Sequence, residues 1–281
     1  MTRKYFMFPG FKCKAVTLSY DDGVRQDKRL ISIMAQHGLK GTFNINAGLF
    51  ATELSDVERG RMTVDEAYEL YTSSGMEVAC HGYKHLHLAN IDSAGATYDV
   101  INDRVELEKI FDTVIKGMAY AYGNYSDSVV DILDKCGISY CRTVVSTEKF
   151  DIPGDWLRMP ATCHHNNPKL MELAERFIEG KGQSDKWMKT PRLFYLWGHS
   201  YEFDNNDNWD VITKFAEYIG GRDDVWYATN GEIFEYVEAY DRLKFSADNS
   251  LVYNPSAITV YIQNADKQFV VAPMETVRIS E

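Results

Sequence analysis

"KAVTLSYDDGVRQD", residues 14–27, carries an apolar strand, Ala15 to Leu18, straight into two adjacent carboxylates and a glycine. Neighbouring acids repel, and neither gains from the rim of a core. Read locally, Asp22-Gly23 is a turn, and an acid here caps the helix that follows. The rest of the chain has to decide whether the pair is punctuation or chemistry.

Outward from this stretch, short apolar runs alternate with amphipathic ones. Strands are expected near 15–19, 41–46, 76–80, 115–120, 138–145, 192–197 and 225–229, each bounded by glycine or polar clusters. Helical patterns lie near 24–37, 63–74, 93–112, 127–136, 168–180, 208–219 and 231–241. Thr63 with Glu66 forms a capping box, Pro168 is placed for a first helical turn, and Gly38, Gly137 and Gly180 stand where helices should stop. Strict strand–helix alternation implies a parallel sheet with helices outside it. Closed, this is a (β/α) barrel of seven units; open, it is a doubly wound sheet. Residues 1–242 read as that α/β body, and 243–281 as a small β appendage with turns at Asn254-Pro255 and Asn264-Ala265-Asp266.

The totals narrow the partners. The 281 residues are 45% hydrophobic and carry a net charge of −11, which argues against nucleic acid and anionic membrane surfaces. No apolar run approaches a bilayer span. The N-terminal stretch lacks the apolar core of a signal peptide. Five cysteines (Cys13, Cys80, Cys136, Cys141, Cys163) without CxxC spacing read as reduced thiols, so a cytoplasmic location is expected.

In α/β folds, chemistry gathers at the C-terminal ends of the strands. Asp21 and Asp22 follow the first strand, His81, His85 and His87 the third, Tyr122 and Gly123 the fourth. Arg158, His164 and His165 follow the fifth across a longer loop, His199 the sixth and Asn230 the seventh. Of seven histidines only His37 falls elsewhere. His81 and His85 can face one way on a helical turn, as two metal ligands need. Two imidazoles and a carboxylate match the ligand set of catalytic zinc, with Asp22 as third ligand; Co, Ni and Mn suit the same groups. Asp21 then stands beside the metal's water as a general base, and the cation offsets the repulsion between the acids.

"SYDDG", "HGYKH", "AYAYG" and "YLWGH", in this order, resemble the polysaccharide deacetylase family, carbohydrate esterase family four, built on the NodB-homology domain. The resemblance covers roughly residues 13–240. It implies a distorted (β/α)7 barrel that hydrolyses N- or O-linked acetyl groups from sugars with one divalent metal. Carried over, it makes Asp21 the base, Asp22, His81 and His85 the metal ligands, the Tyr122 N–H an oxyanion donor, and His199 the acid that protonates the leaving group.

The family's third motif often begins with an arginine that orients the base, and here alanine stands in its place. Arg142 or Arg158 is expected to supply that charge. Asp155-Trp156 is the nearest match to the element that tunes the acid histidine. "PATCHHNN" has no counterpart, and His164 or His165 is read as substrate contact, metal support or a helix cap. Tyr83, Tyr125, Trp156, Trp197 and Tyr201 are candidates to stack on sugar rings, with core packing the competing role. An acetylated sugar or oligosaccharide is the expected substrate. A metal-dependent amidase on a small non-sugar amide and a silent carbohydrate-binding relative are the alternatives. Oligomeric state is not legible.

Overall fold

The computed structural model describes residues 3–180, 183–184, 187 and 189–279. A short strand β1 (Phe6–Met7) precedes β2 (Lys14–Asp21), β3 (Gly41–Ile45), β4 (Glu77–Cys80), β5 (Gly117–Ala119) and β6 (Tyr140–Ser146). Next come β7 (Met159–Ala161), β8 (Cys163–His164), β9 (Arg192–Gly198) and β10 (Val225–Tyr227). The parallel sheet runs β7-β6-β5-β4-β3-β2-β9-β8. Its two edges, β7 and β8, are consecutive pieces of one run, separated by Thr162, whose N–H donates to Tyr195 O at 2.9 Å. The sheet therefore closes on itself through residues 159–164, giving a seven-stranded barrel wrapped by helices.

The seven expected strands and the seven of the barrel are not the same set. Residues 225–227 do form a parallel strand, but it pairs only with Lys14–Val16, low on β2, on the side that β3 occupies higher up. The sixth barrel strand is 159–164, which carries a proline and two threonine- and histidine-containing steps and so does not read as an apolar run.

All eight residues of β2 are buried because both of its faces are covered. Val16, Leu18 and Tyr20 join the core formed with Leu30, Met34 and Phe215 of the helical layer. Each such aliphatic or aromatic burial is worth about 1.5–3 kcal/mol. The alternate residues face the barrel interior, because side chains along a strand point to opposite faces. That interior is polar: Thr17 Oγ1 donates to Asn230 Oδ1 at 3.0 Å, and Asn44 Nδ2 donates to Ser19 Oγ at 2.9 Å. Asp21 sits at the top of this ladder for the same reason of parity.

Helix boundaries follow the sequence signals. Thr63 caps Val64–Ser74 and Glu66 returns the bond to the Thr63 N–H at 3.0 Å, while Gly75 ends the helix at φ 68°. Leu170–Glu179 begins two residues after Pro168, later than expected, and stops at Gly180. Beyond residue 243, β11 (Lys244–Phe245), β12 (Leu251–Tyr253) and β15 (Thr276–Arg278) make one antiparallel sheet. β13 (Val260–Asn264) and β14 (Lys267–Val271) make a second with the N-terminal β1, so this part of the structure takes in both ends of the chain. Among the described residues no helix is long and apolar enough to cross a membrane.

Candidate active site

The end of β2 delivers two carboxylates to different places. Asp21, still in the strand, points inward and is buried; Asp22 follows with φ 82°, which turns its side chain away from its neighbour's path. The helix Asp27–Gln36 takes no side-chain cap from either, so the capping role does not account for the pair.

Asp22 Oδ1 lies 3.6 Å from His81 Nε2 and 3.4 Å from His85 Nε2, and the two Nε2 atoms are 3.1 Å apart. The histidines meet through a loop rather than the expected helical turn: Gly82 and His85 have φ 84° and 55°, which no α-helix contains. Gly82 is required here, since a Cβ would lie 2.6 Å from Asp99 Oδ2. Two carboxylates of the helix Ser93–Phe111, four residues apart on one face, hold the loop. Asp103 accepts from the N–H groups of Ala47 at 2.7 Å and His81 at 2.8 Å, and Asp99 from that of Lys84 at 2.8 Å. Burial raises the Asp103 carboxyl to about 7.

His81 Nδ1 is 2.9 Å from Ala119 O. A carbonyl only accepts, so Nδ1 carries the proton and Nε2 presents a lone pair to Asp22 and His85. Burial and the neighbouring His81 lower His85 to about 4, which keeps its imidazole neutral. Two lone-pair nitrogens and a carboxylate oxygen at these separations suit a small divalent cation, whose tetrahedral ligands stand about 3.3 Å apart.

Asp21 is fully engaged. Asn44 Nδ2 donates to its Oδ1 at 2.8 Å, and Arg142 Nη2 donates to its Oδ2. Burial raises the carboxyl, but the charge and hydrogen bond of Arg142 outweigh it and bring Asp21 down to about 2. Arg142 is 0% exposed, held by Thr143 O at 3.2 Å and by the Trp197 ring 4.3 Å from its guanidinium carbon. Of the two arginines expected to serve Asp21, the structure brings Arg142 there. Arg158 instead pairs with Asp155 at 2.8 Å and Asp127 at 2.7 Å on the outside.

Asp155 is likewise not beside His199: it accepts from the Leu157 N–H at 3.1 Å, and Trp156 packs edge-on against Phe234. The carboxylate at His199 belongs to Glu202, whose Oε1 lies 3.2 Å from His199 Nδ1. His199 Nε2 faces the other way, 3.9 Å from Asp21 Oδ2. Burial works against the His199 proton, yet the Glu202 contact and the Asp21 and Asp22 charges raise it overall. His164 and His165 both approach Glu202 Oε2, at 3.3 and 2.8 Å. Burial lowers both histidines, His164 to about 4.

Tyr122 occupies the turn after β5 with φ 57° and is 59% exposed as a residue; its ring stacks on His87 at 3.9 Å and meets His85 edge-on at 4.4 Å. Tyr125 stacks on Tyr120, and Tyr201 lies 5.3 Å from the His199 ring. Sequence reasoning missed Asn44, Asp99, Asp103 and Glu202. Parity along β3, the four-residue spacing on the helix and the three-residue step from His199 were the available signals.

Residues 9–141 match the family model described as "Polysaccharide deacetylase". Over these residues the chain is similar to the polysaccharide deacetylase family. Among solved structures, a putative polysaccharide deacetylase from Mycobacterium smegmatis matches at 16% identity, covering 84% of this chain and 94% of that one, with a TM-score of 0.61. A family 4 carbohydrate esterase from Streptomyces lividans in complex with acetate matches at 16% identity over 77% of this chain and 93% of its own, with a TM-score of 0.50. A deacetylase from Streptococcus pyogenes, also with acetate, gives 18% identity, a TM-score of 0.45 and 50% coverage; the chain spans 61% of that protein. The first two of these likenesses show that the chain shares the fold of those proteins over most of its length. No curated protein matches it.

Proposed function

We propose that this protein is a divalent-metal-dependent hydrolase of the polysaccharide deacetylase family that removes acetyl groups from a carbohydrate. The observation that carries the reading is the convergence of Asp22 Oδ1, His81 Nε2 and His85 Nε2 within 3.1–3.6 Å, beside a separate buried carboxylate, Asp21. Zinc is the ion the donor set favours. Bound there, it supplies a Lewis acid that makes water acidic near neutrality and polarises the acetyl carbonyl.

The remaining roles fall to the chain. Asp21, ionised throughout the neutral range, takes the proton of the attacking water, and Arg142 and Asn44 hold it in line. The Tyr122 N–H, in its left-handed turn, donates to the oxygen that becomes negative as the carbonyl carbon turns tetrahedral. His199 Nε2 gives a proton to the departing nitrogen or oxygen; an amide nitrogen leaves far more readily as a neutral amine. Trp197 and Tyr122 form apolar walls against which a sugar ring or acetyl methyl packs. Five unpaired cysteines fit a reducing compartment, so we place the protein in the cytoplasm, acting on short or monomeric acetylated sugars.

The test is acetate release from N- and O-acetylated mono- and oligosaccharides by protein treated with chelator and then reloaded with zinc. Release that stops on chelation, returns with zinc and is lost in Asp21→Asn is the expected result. Zinc-dependent cleavage confined to non-sugar amides would overturn the substrate assignment, and rates indifferent to chelation would overturn the chemistry.

A further inference from the structure

Glu202 gathers three histidines onto one carboxylate. Its Oε1 receives His199 Nδ1 at 3.2 Å, while Oε2 is approached by His165 Nε2 at 2.8 Å, His164 Nε2 at 3.3 Å and Asn166 Nδ2 at 3.1 Å. Two imidazoles and a carboxylate suggest a second cation site at first sight, and the donor atoms lie close enough for one. The protons argue otherwise. The Asn166 N–H donates to His164 Nδ1 at 3.1 Å, so Nδ1 offers the lone pair and Nε2 bears the hydrogen aimed at Glu202. A nitrogen that carries a hydrogen cannot ligate.

His165 gives the cluster its rigidity. It is buried, its ring lies 4.2 Å from Phe203 and 5.7 Å from Tyr20, and its Nδ1 fills the space a Cβ on Gly198 would take, 2.1 Å away. Neither ring nitrogen makes a well-aligned hydrogen bond among the described residues, so the ring is placed by packing. Glu202 is thus held from behind by a wedged imidazole and presents its other oxygen to His199.

We propose that Glu202, braced by His165, His164 and Asn166, is the positioning residue that fixes His199 with its hydrogen on Nδ1 and turns Nε2 toward Asp21 and the leaving group. A carboxylate accepts only, so it selects the N–H on its own side and leaves Nε2 as the nitrogen that exchanges a proton with substrate. Its charge also favours the imidazolium. Burial raises the Glu202 carboxyl, but the His165 and His199 contacts prevail and hold it well below the usual range, so the charge is present at all working pH values. Burial lowers the two brace histidines, whereas the Glu202 contact helps to raise His199. The histidine pair of "PATCHHNN", unplaced by the sequence, acquires a role one step removed from substrate.

This rests on the hydrolase reading above and is tested by a substrate pair that separates the two. An N-acetyl sugar expels a poor leaving group and needs the acid; 4-nitrophenyl acetate expels a good one and hardly does. With zinc-loaded Glu202→Gln, the rate on the N-acetyl sugar should fall about 100-fold and that on the aryl ester far less, so their ratio drops by about tenfold or more. Nitrogen-15 NMR of the His199 ring should show the Nδ1–H form in the parent protein and its loss in Glu202→Gln, a readout that simple destabilisation does not produce. Equal losses on both substrates, or an unchanged His199 spectrum, would overturn the positioning role while leaving the hydrolase reading intact. A second equivalent of zinc that vanishes in Glu202→Gln would overturn it too, in favour of a cation site. Inactivity of the parent protein on both substrates would refute the hydrolase reading itself.

Discussion

The Asp22–His81–His85 cluster and the His164–His165–Glu202 cluster each bring two imidazoles and a carboxylate within 4.8 Å at the same end of the barrel. They differ in what the backbone does to the imidazoles. At His81 a carbonyl, Ala119 O, claims the Nδ1 hydrogen, so Nε2 faces inward as a lone pair. At His164 an N–H, that of Asn166, occupies the Nδ1 lone pair, so Nε2 faces inward as a donor. One cluster is made to hold a cation and the other to hold a carboxylate. The deciding group is in each case a main-chain atom that composition and spacing do not reveal.

The largest effect should come from cutting the two clusters in parallel. His81→Ala should lose stoichiometric zinc and all measurable acetate release, whereas His164→Ala should keep its zinc, as read by elemental analysis after dialysis. Comparable zinc losses would abolish the distinction.

Each cluster also leans on a buried carboxyl, and these two sharpen the contrast. Asp103 accepts from two backbone N–H groups behind His81, which have no way to turn round. Asp27 accepts from the hydroxyls of Ser200, next to His199, at 2.5 Å and of Tyr71 at 2.6 Å, and hydroxyls can rotate to accept instead. Asp103→Asn should therefore cost about 2–3 kcal/mol and weaken zinc binding, because an amide N–H₂ is set against a backbone donor. Asp27→Asn should fold well and be more stable than the parent at pH 8.

The pH dependence has a definite sign. Burial holds Asp27 and Asp103 up to about 7 in the folded protein, against an ordinary 3.8. The folded state thus keeps protons that the unfolded chain has released, and stability falls as pH rises from about 4 to about 7. Asp21, down at about 2, works oppositely: its contribution is complete above about 4 and fades as pH falls toward 2. Thermal melts of chelator-treated protein should show the upper-range loss, and Asp27→Asn should flatten it. A melt that rises between pH 4 and 7 would contradict these placements.

Gly198→Ala tests the brace alone: its Cβ meets His165, and about 1–3 kcal/mol should be lost with zinc content unchanged. The smallest effect is expected at Tyr122→Ala. Loss of the ring that lies edge-on to His85 should weaken zinc binding about threefold to tenfold, the worth of an aromatic contact.

The helices and most strands were legible because burial on one face leaves a period in the sequence, and the capping box at Thr63 and the stop at Gly180 are local chemistry. The strand 159–164 was not, because it closes the barrel with a proline and polar residues, and 225–229 was counted in its stead. The positions of Asp22, His81 and His85 could be anticipated from their place after strands, although the turn that joins the histidines was misread as helical. Arg142 could be narrowed to one of two arginines. Parity would have chosen it: Arg142 shares an inward face with Tyr140, whose hydroxyl reaches Glu77 inside the barrel. Glu202 stayed hidden because the family pattern pointed to Asp155, and only packing shows which carboxylate reaches His199.

By itself the sequence determined the α/β alternation, the end of the barrel where chemistry collects, and the residue types that gather there. Hydrophobic period and turn residues act over a few positions, and that range suffices for those conclusions. Tertiary structure alone decided which arginine meets Asp21, which carboxylate meets His199 and which nitrogen of each histidine carries its hydrogen. Those outcomes depend on ångström-scale contacts between segments far apart in the chain, such as Asp21 with Arg142 and His81 with Ala119. No local pattern encodes a distance of that kind.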